Sequence, residues 1–222
     1  MACVVGSLTA STSRTTVQGR AIQAAGLLDR FFAPDPEPLV SYHALRTLTA
    51  STRGGKMQGT IVARTTLDVV NGFRYEIVSE NGAAVIRTHV LRAALEAERK
   101  AVGSSDASSA ALTAANYEFG MVAATSGDLA RVDVKPRRKN VMLIDGALFL
   151  DSGSADLVRV EGELSARPSF WTRRVRIVRE YARIQGIHVP VSMESTADVL
   201  VVGQSTFVMS YQYSDINGRP VQ

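Results

Sequence analysis

From Asn140 to Val221 apolar and polar residues alternate with few breaks, the period-two signature of strands that turn one face to a core. In Asp156 to Leu164, Val158, Val160 and Leu164 fall on one side, and Arg159, Glu161 and Glu163 on the other. The run from Phe170 to Ile184 follows the turn residues Ala166 to Ser169; its length and β-branched content predict a long strand. Gln185-Gly186 predicts a turn before Val189, Val191 and Met193, which lead into Ala197, Val199 and Val201. Gly203-Gln204 turns the chain again ahead of Phe207, Met209, Tyr211 and Tyr213. Asp145-Gly146, between Val141 to Ile144 and Ala147 to Leu150, has the composition of a type I′ hairpin turn, so two strands are expected to meet there.

The first half carries a different rhythm. Val17, Ile22, Ala25, Leu27, Leu28 and Phe31 or Phe32 recur at helical spacing and predict a helix from Thr16, stopped by Ala33-Pro34-Asp35-Pro36. Leu39 to Thr49, Met57 to Leu67 and Phe73 to Val78 read as strands, separated by Arg53 to Lys56 and by Asn71-Gly72. A second helix is predicted from Ala84 to Ala101, with Ile86, Val90, Leu91, Ala94 and Leu95 on one face. The Ser, Gly and Ala residues of Gly103 to Ala110 predict a flexible connection, after which Asn116 to Ala123 and Asp128 to Val134 resume the strands.

These elements specify an α+β fold that is mostly antiparallel β. About ten strands exceed what an open twisted sheet usually carries without curling, so the sheet should be strongly curved, an incomplete β-barrel. Two or three helices would protect its concave face. Between them lies either a filled core or an apolar cavity.

The chain has 222 residues, of which 45% are hydrophobic, enough for one substantial core. The expected division is a flexible segment at 1–16, a remnant of a signal region, and a single domain at 17–222. No run of about 18 apolar residues is present, so no transmembrane helix is expected. Cys3 is the single cysteine, which precludes an internal disulfide. Only Met1-Ala2 precede it, so it is either an ordinary residue or the sequence begins inside a longer precursor, leaving its lipidation open. The net charge of +4 admits an anionic partner. The basic residues are nevertheless spread out, and the densest cluster, Lys135 with Arg137 to Lys139, reads as a solvated hairpin edge that resists sheet-to-sheet pairing.

Catalytic chemistry finds little support. His43, His89 and His188 form no H-E-x-x-H pair and have no cysteine companions, so no metal is expected. There is no G-x-S-x-G elbow and no glycine-rich phosphate cradle, and Glu161 and Glu163 sit on a wet strand face. No catalytic residue, cofactor or nucleic-acid partner is assigned.

The segments Val141 to Asp151 and Asp156 to Gly162, with Phe170 to Val175 and Tyr181 to Pro190, resemble the LolA-like superfamily of bacterial lipoprotein carriers and related envelope proteins. With the order of elements, the resemblance covers about Leu28 to Val221. It implies a half-barrel in the periplasm or cell envelope that holds a lipid, an acyl chain or a lipoprotein in its hollow, without catalysis. The alternative it carries is a module for protein-protein interaction or envelope-stress sensing, with the same fold and a filled core. Carriers of this type lock their lid with an arginine on an early strand, for which Arg46 and Arg64 are the candidates by order. Phe73, Tyr75, Ile86, Val90, Leu91, Leu95, Trp171, Phe207, Met209 and Tyr211 are the candidate lining or lid residues, each of which could equally be ordinary core.

Overall fold

The computed structural model of the protein describes residues 26–102, 110–125, 127–170, 172–200 and 203–222. Helical residues 26–32, here α1, lead into β1 (Ser41–Thr52), β2 (Met57–Asp68) and β3 (Gly72–Gly82). Helix α2 then runs without interruption through an α-helical turn (Ala84–Ile86), a π-helical stretch (Arg87–Arg92) and an α-helical end (Ala93–Ala101). There follow β4 (Tyr117–Ala124), β5 (Leu129–Pro136), β6 (Ile144–Asp151), β7 (Leu157–Leu164), β8 (Thr172–Ile184), β9 (Ile187–Val199), β10 (Gly203–Ile216) and the short β11 (Arg219–Pro220).

All of the strands join one antiparallel sheet, in the order β3-β2-β1-β10-β9-β8-β7-β6-β5-β4, with β11 beside β10. The edges β3 and β4 do not pair, so the sheet is open. The chain thus lays the first three strands against the last long one, since β1 pairs with β10 along nearly its whole length. Strand β10, at 14 residues, and strands β8 and β9, at 13 each, are far longer than the usual 5 or 6. Where two or three covering helices were expected, the described residues form one long helix of 18 residues and the short α1. The part of the first predicted helix before residue 26, the segment 1–16 and Trp171 lie outside the described residues.

Asp145-Gly146 is not a turn. Strand β6 passes straight through it, and Gly146 pairs with Gly162 of β7. A Cβ on Gly146 would lie 2.1 Å from the Glu161 carbonyl oxygen and 2.5 Å from the Gly162 Cα. The glycine is needed here because two backbones approach closely, not because φ is positive. Val141 and Met142, read as strand, form an exposed turn instead, closed by Leu143 N donating to Asn140 O. One strand over, a bulge opposite Phe149/Leu150 places Leu157, rather than Val158, in the core with Val160.

The buried apolar side chains form three packed clusters, two of them beneath the helices. Leu27, Leu28 and Phe31 of α1 cover an aliphatic cluster on β5 to β8 that includes Val132, Val134, Leu148, Leu150 and Val160. Ile86, Leu91 and Leu95 of α2 cover Leu48, Ala50, Ile61, Ala63, Phe73 and Met209 on β1, β2, β3 and β10. Met193 of β9 touches both clusters and marks the boundary.

Candidate functional site

The site is built where α2 meets the sheet. Strand alternation turns Tyr42, Ala44, Arg46, Leu48 and Ala50 inward from β1, so an arginine sits in an otherwise apolar row. Arg46 is 1% exposed. Its guanidinium grips Glu98 of α2 with both terminal nitrogens, Nη1 to Oε2 at 2.5 Å and Nη2 to Oε1 at 2.9 Å. Nη2 also donates to the Tyr42 hydroxyl, and Nη1 lies 3.8 Å from the Met209 sulfur. Three rings surround the cation, with Tyr211, Phe73 and Tyr42 centroids 4.3, 4.8 and 5.6 Å from Cζ. Burial works against the charge, but the Glu98 carboxylate outweighs it and holds the Arg46 pKa above its ordinary value. The Nε–H has no hydrogen-bond partner among the described residues.

The same burial raises the phenols around it. Tyr211 is pushed up to about 12, and Tyr42 and Tyr213 rise in the same direction, in each case mainly because the charged form would be desolvated. Tyr211 stacks on Tyr213, with centroids 5.8 Å apart.

Two further polar contacts pin α2 along its outer side. Tyr75 of β3 donates its hydroxyl to Glu96, which also binds Arg99. Arg87 and Arg92, at the two ends of the π-helical stretch, both pair with Glu80 of β3 at 2.6 Å. That stretch sets which residues reach the sheet. A π turn closes i→i+5, so Ile86 is succeeded on the buried face by Leu91, and the α register then brings Leu95. Val90, on the same face in an unbroken α-helix, is 37% exposed and stands outside the row. Gly59 makes room for this contact, because a Cβ there would meet Ile86 at 3.0 Å.

Of the residues singled out in the sequence, Phe73, Tyr75, Ile86, Leu91, Leu95, Phe207, Met209 and Tyr211 come together in this one cluster, Tyr75, Phe207 and Tyr211 being half-buried. Of the two arginine candidates, Arg46 is the one beneath the helix; Arg64 faces outward and pairs with Glu76 at 3.0 Å. Glu98 was not foreseen, nor was Tyr42. The inward parity of β1 carries a signal for Arg46, and the α spacing from Leu91 and Leu95 carries one for Glu98. The arrangement suits holding and releasing a helix. Among the described residues no three His, Cys, Asp or Glu side chains gather as a metal site would require.

No family model and no curated protein matches the sequence. In structure the chain is similar to a LolA superfamily protein. That protein, NE2245 from Nitrosomonas europaea, has 9% identity and a TM-score of 0.40 over 90% of this chain and 94% of its own. MucB has 12% identity and a TM-score of 0.25 over 86% of this chain and 93% of its own.

Proposed function

We propose that the protein is a non-enzymatic binder of a hydrophobic ligand, a lipid, acyl chain or lipoprotein, taken up in the bacterial cell envelope between α2 and the inner face of the sheet. The observation that carries this is how α2 is attached. Only Ile86, Leu91 and Leu95 are buried from it, and the rest of its hold is the Arg46–Glu98 latch with the Tyr75 and Glu80 contacts. Buried apolar surface is stabilised in proportion to its area, whatever covers it. An acyl chain against Phe73, Met209 and Tyr211 therefore replaces what the three helix side chains supply, and breaking the latch is the remaining cost. Tyr75, Phe207, Val90 and Trp171 are the further candidates for the lining or lid.

A second reading has its own observation. Leu48, Ile61 and Leu91 are 0% exposed and Leu95 1%, so the space under α2 is filled with the helix in place. A permanently filled core would make the protein an interaction or envelope-stress sensing module. Native mass spectrometry of protein purified from a bacterial host, followed by organic extraction, separates the two. The binder carries a stoichiometric acyl lipid that the Leu91→Lys variant loses. A clean apo mass, with no uptake of added fatty acid or lipopeptide, favours the interaction module.

A further inference from the structure

The two turn ends of the sheet carry opposite charge. Because neighbouring strands are antiparallel, the connections β1–β2, β5–β6, β7–β8 and β9–β10 all emerge at one end. They hold Arg53, Lys56, Arg137, Arg138, Lys139 and Arg167, and no Asp or Glu. At the other end, the segment 33–40 and the connections β2–β3, β4–β5, β6–β7, β8–β9 and β10–β11 hold Asp35, Glu37, Asp128 and Asp156, and no Lys or Arg.

The acidic end is largely neutralised by strand-end arginines, with Asp156 on Arg183 and Glu37 on Arg219. The basic end is not. Arg137 reaches Glu118, but Arg53, Lys56, Lys139 and Arg167 are exposed and make no ion pair among the described residues. The same end presents apolar side chains to solvent: Phe170 is 83% exposed, Val141 46% and Met142 39%. These are contiguous with the charges, because the β5–β6 and β7–β8 turns are tied together by Ser165, whose N donates to Leu143 O and whose hydroxyl donates to Asn140 O. Beside them Arg167, Phe170, Arg173, Arg174, Asp198 and Leu200 line an open depression of about 440 Å³.

We infer that this end docks the protein on the surface of an anionic phospholipid bilayer. Cations alone would serve any polyanion, but exposed Phe, Met and Val among them match the bilayer interface, where apolar tips enter the acyl boundary and guanidinium and ammonium groups meet phosphates. The inference is independent of what α2 covers. The Arg137 to Lys139 cluster, read from sequence as a solvated edge, lies on this end.

Co-sedimentation with sonicated vesicles tests it, using the whole chain. Binding is expected to vesicles containing phosphatidylglycerol and not to pure phosphatidylcholine, and to fall steeply between 50 and 500 mM NaCl. Each basic residue near such a surface contributes about five-fold to partitioning, so the double variant Lys139→Glu, Arg167→Glu should lose at least about 20-fold. Phe170→Ser should lose about five-fold while keeping the salt dependence. Asp128→Asn, at the opposite end, should leave binding unchanged. Melting curves of each variant, and the salt titration of the unaltered protein, guard against misfolding. Equal binding to both vesicle types, no binding to either, or binding to duplex DNA with none to phosphatidylglycerol vesicles would overturn the assignment.

Discussion

The two halves of the inner face are covered by the same means, a helix on a sheet, but are fastened differently. On β5 to β8 the cover meets aliphatic side chains that are almost entirely sealed, Leu148 and Leu150 at 0% and Val132 at 0%. On β1 to β3 the cover is a helix pinned through a buried cation and two sets of rim contacts. Apolar contact is non-directional and tolerates no separation without exposure to water, while an ion pair is specific in geometry and can be exchanged for solvent. The α1 cover is held by buried Leu27 and by Arg30 donating to the Gly153 and Ser152 carbonyls, whereas the α2 cover adds a buried ion pair.

The largest effects should come from the fully buried apolar sites of both halves. Leu148→Ala should cost about 3 kcal/mol in urea unfolding, since it deletes methylenes from a fully buried site and leaves a cavity. Leu91→Ala, at a site just as closed beneath α2, should cost about as much. Next, Glu98→Ala should cost about 2 kcal/mol, because it strands the Arg46 charge; the figure falls below that for a fully enclosed pair because the Glu98 side chain is 34% exposed. Hydrogen exchange should show this as faster opening of α2, with β5 and β6 unchanged.

An alkaline limb is also expected. Tyr211 ionises near pH 10 when unfolded but only at about 12 when folded. Its contribution is thus whole below pH 10 and is lost as pH rises through 12, because the unfolded chain releases its proton first. Tyr42 and Tyr213 act with the same sign. Circular dichroism across that window should show a shallower decline in Tyr211→Phe. The smallest loss, under about 1 kcal/mol, is expected for Arg46→Met, which removes the buried charge, keeps much of the packing and leaves Glu98 to water. Should Arg46→Met prove costlier than Glu98→Ala, the latch would be a structural pillar and the contrast between the halves would fail.

Much of this was legible in the residues. Period-two alternation located the long strands from Asp156 onward, and the residues at 3.6 spacing located α2, because both patterns reflect which side of an element meets the core. Two features were hidden for physical reasons. Asp145-Gly146 has the composition of a tight turn, and a glycine needed for positive φ is indistinguishable in sequence from one needed for backbone proximity until its partner Gly162 is in place. The Arg46–Glu98 pair was hidden for another reason: Glu98 follows Leu91 and Leu95 at α-helical spacing, but a carboxylate closing an apolar row reads in sequence as solvated.

The paired glycines Gly146 and Gly162 have a mechanical meaning as well. At that rung neither strand carries a side chain, so nothing props β6 and β7 apart or stiffens the sheet across them. The two backbones lie close enough here that a Cβ on Gly162 would meet the Asp145 carbonyl oxygen at 2.4 Å. The rung lies inside the aliphatic half, and a methyl group on either glycine would push the two strands apart beneath the side chains that α1 covers.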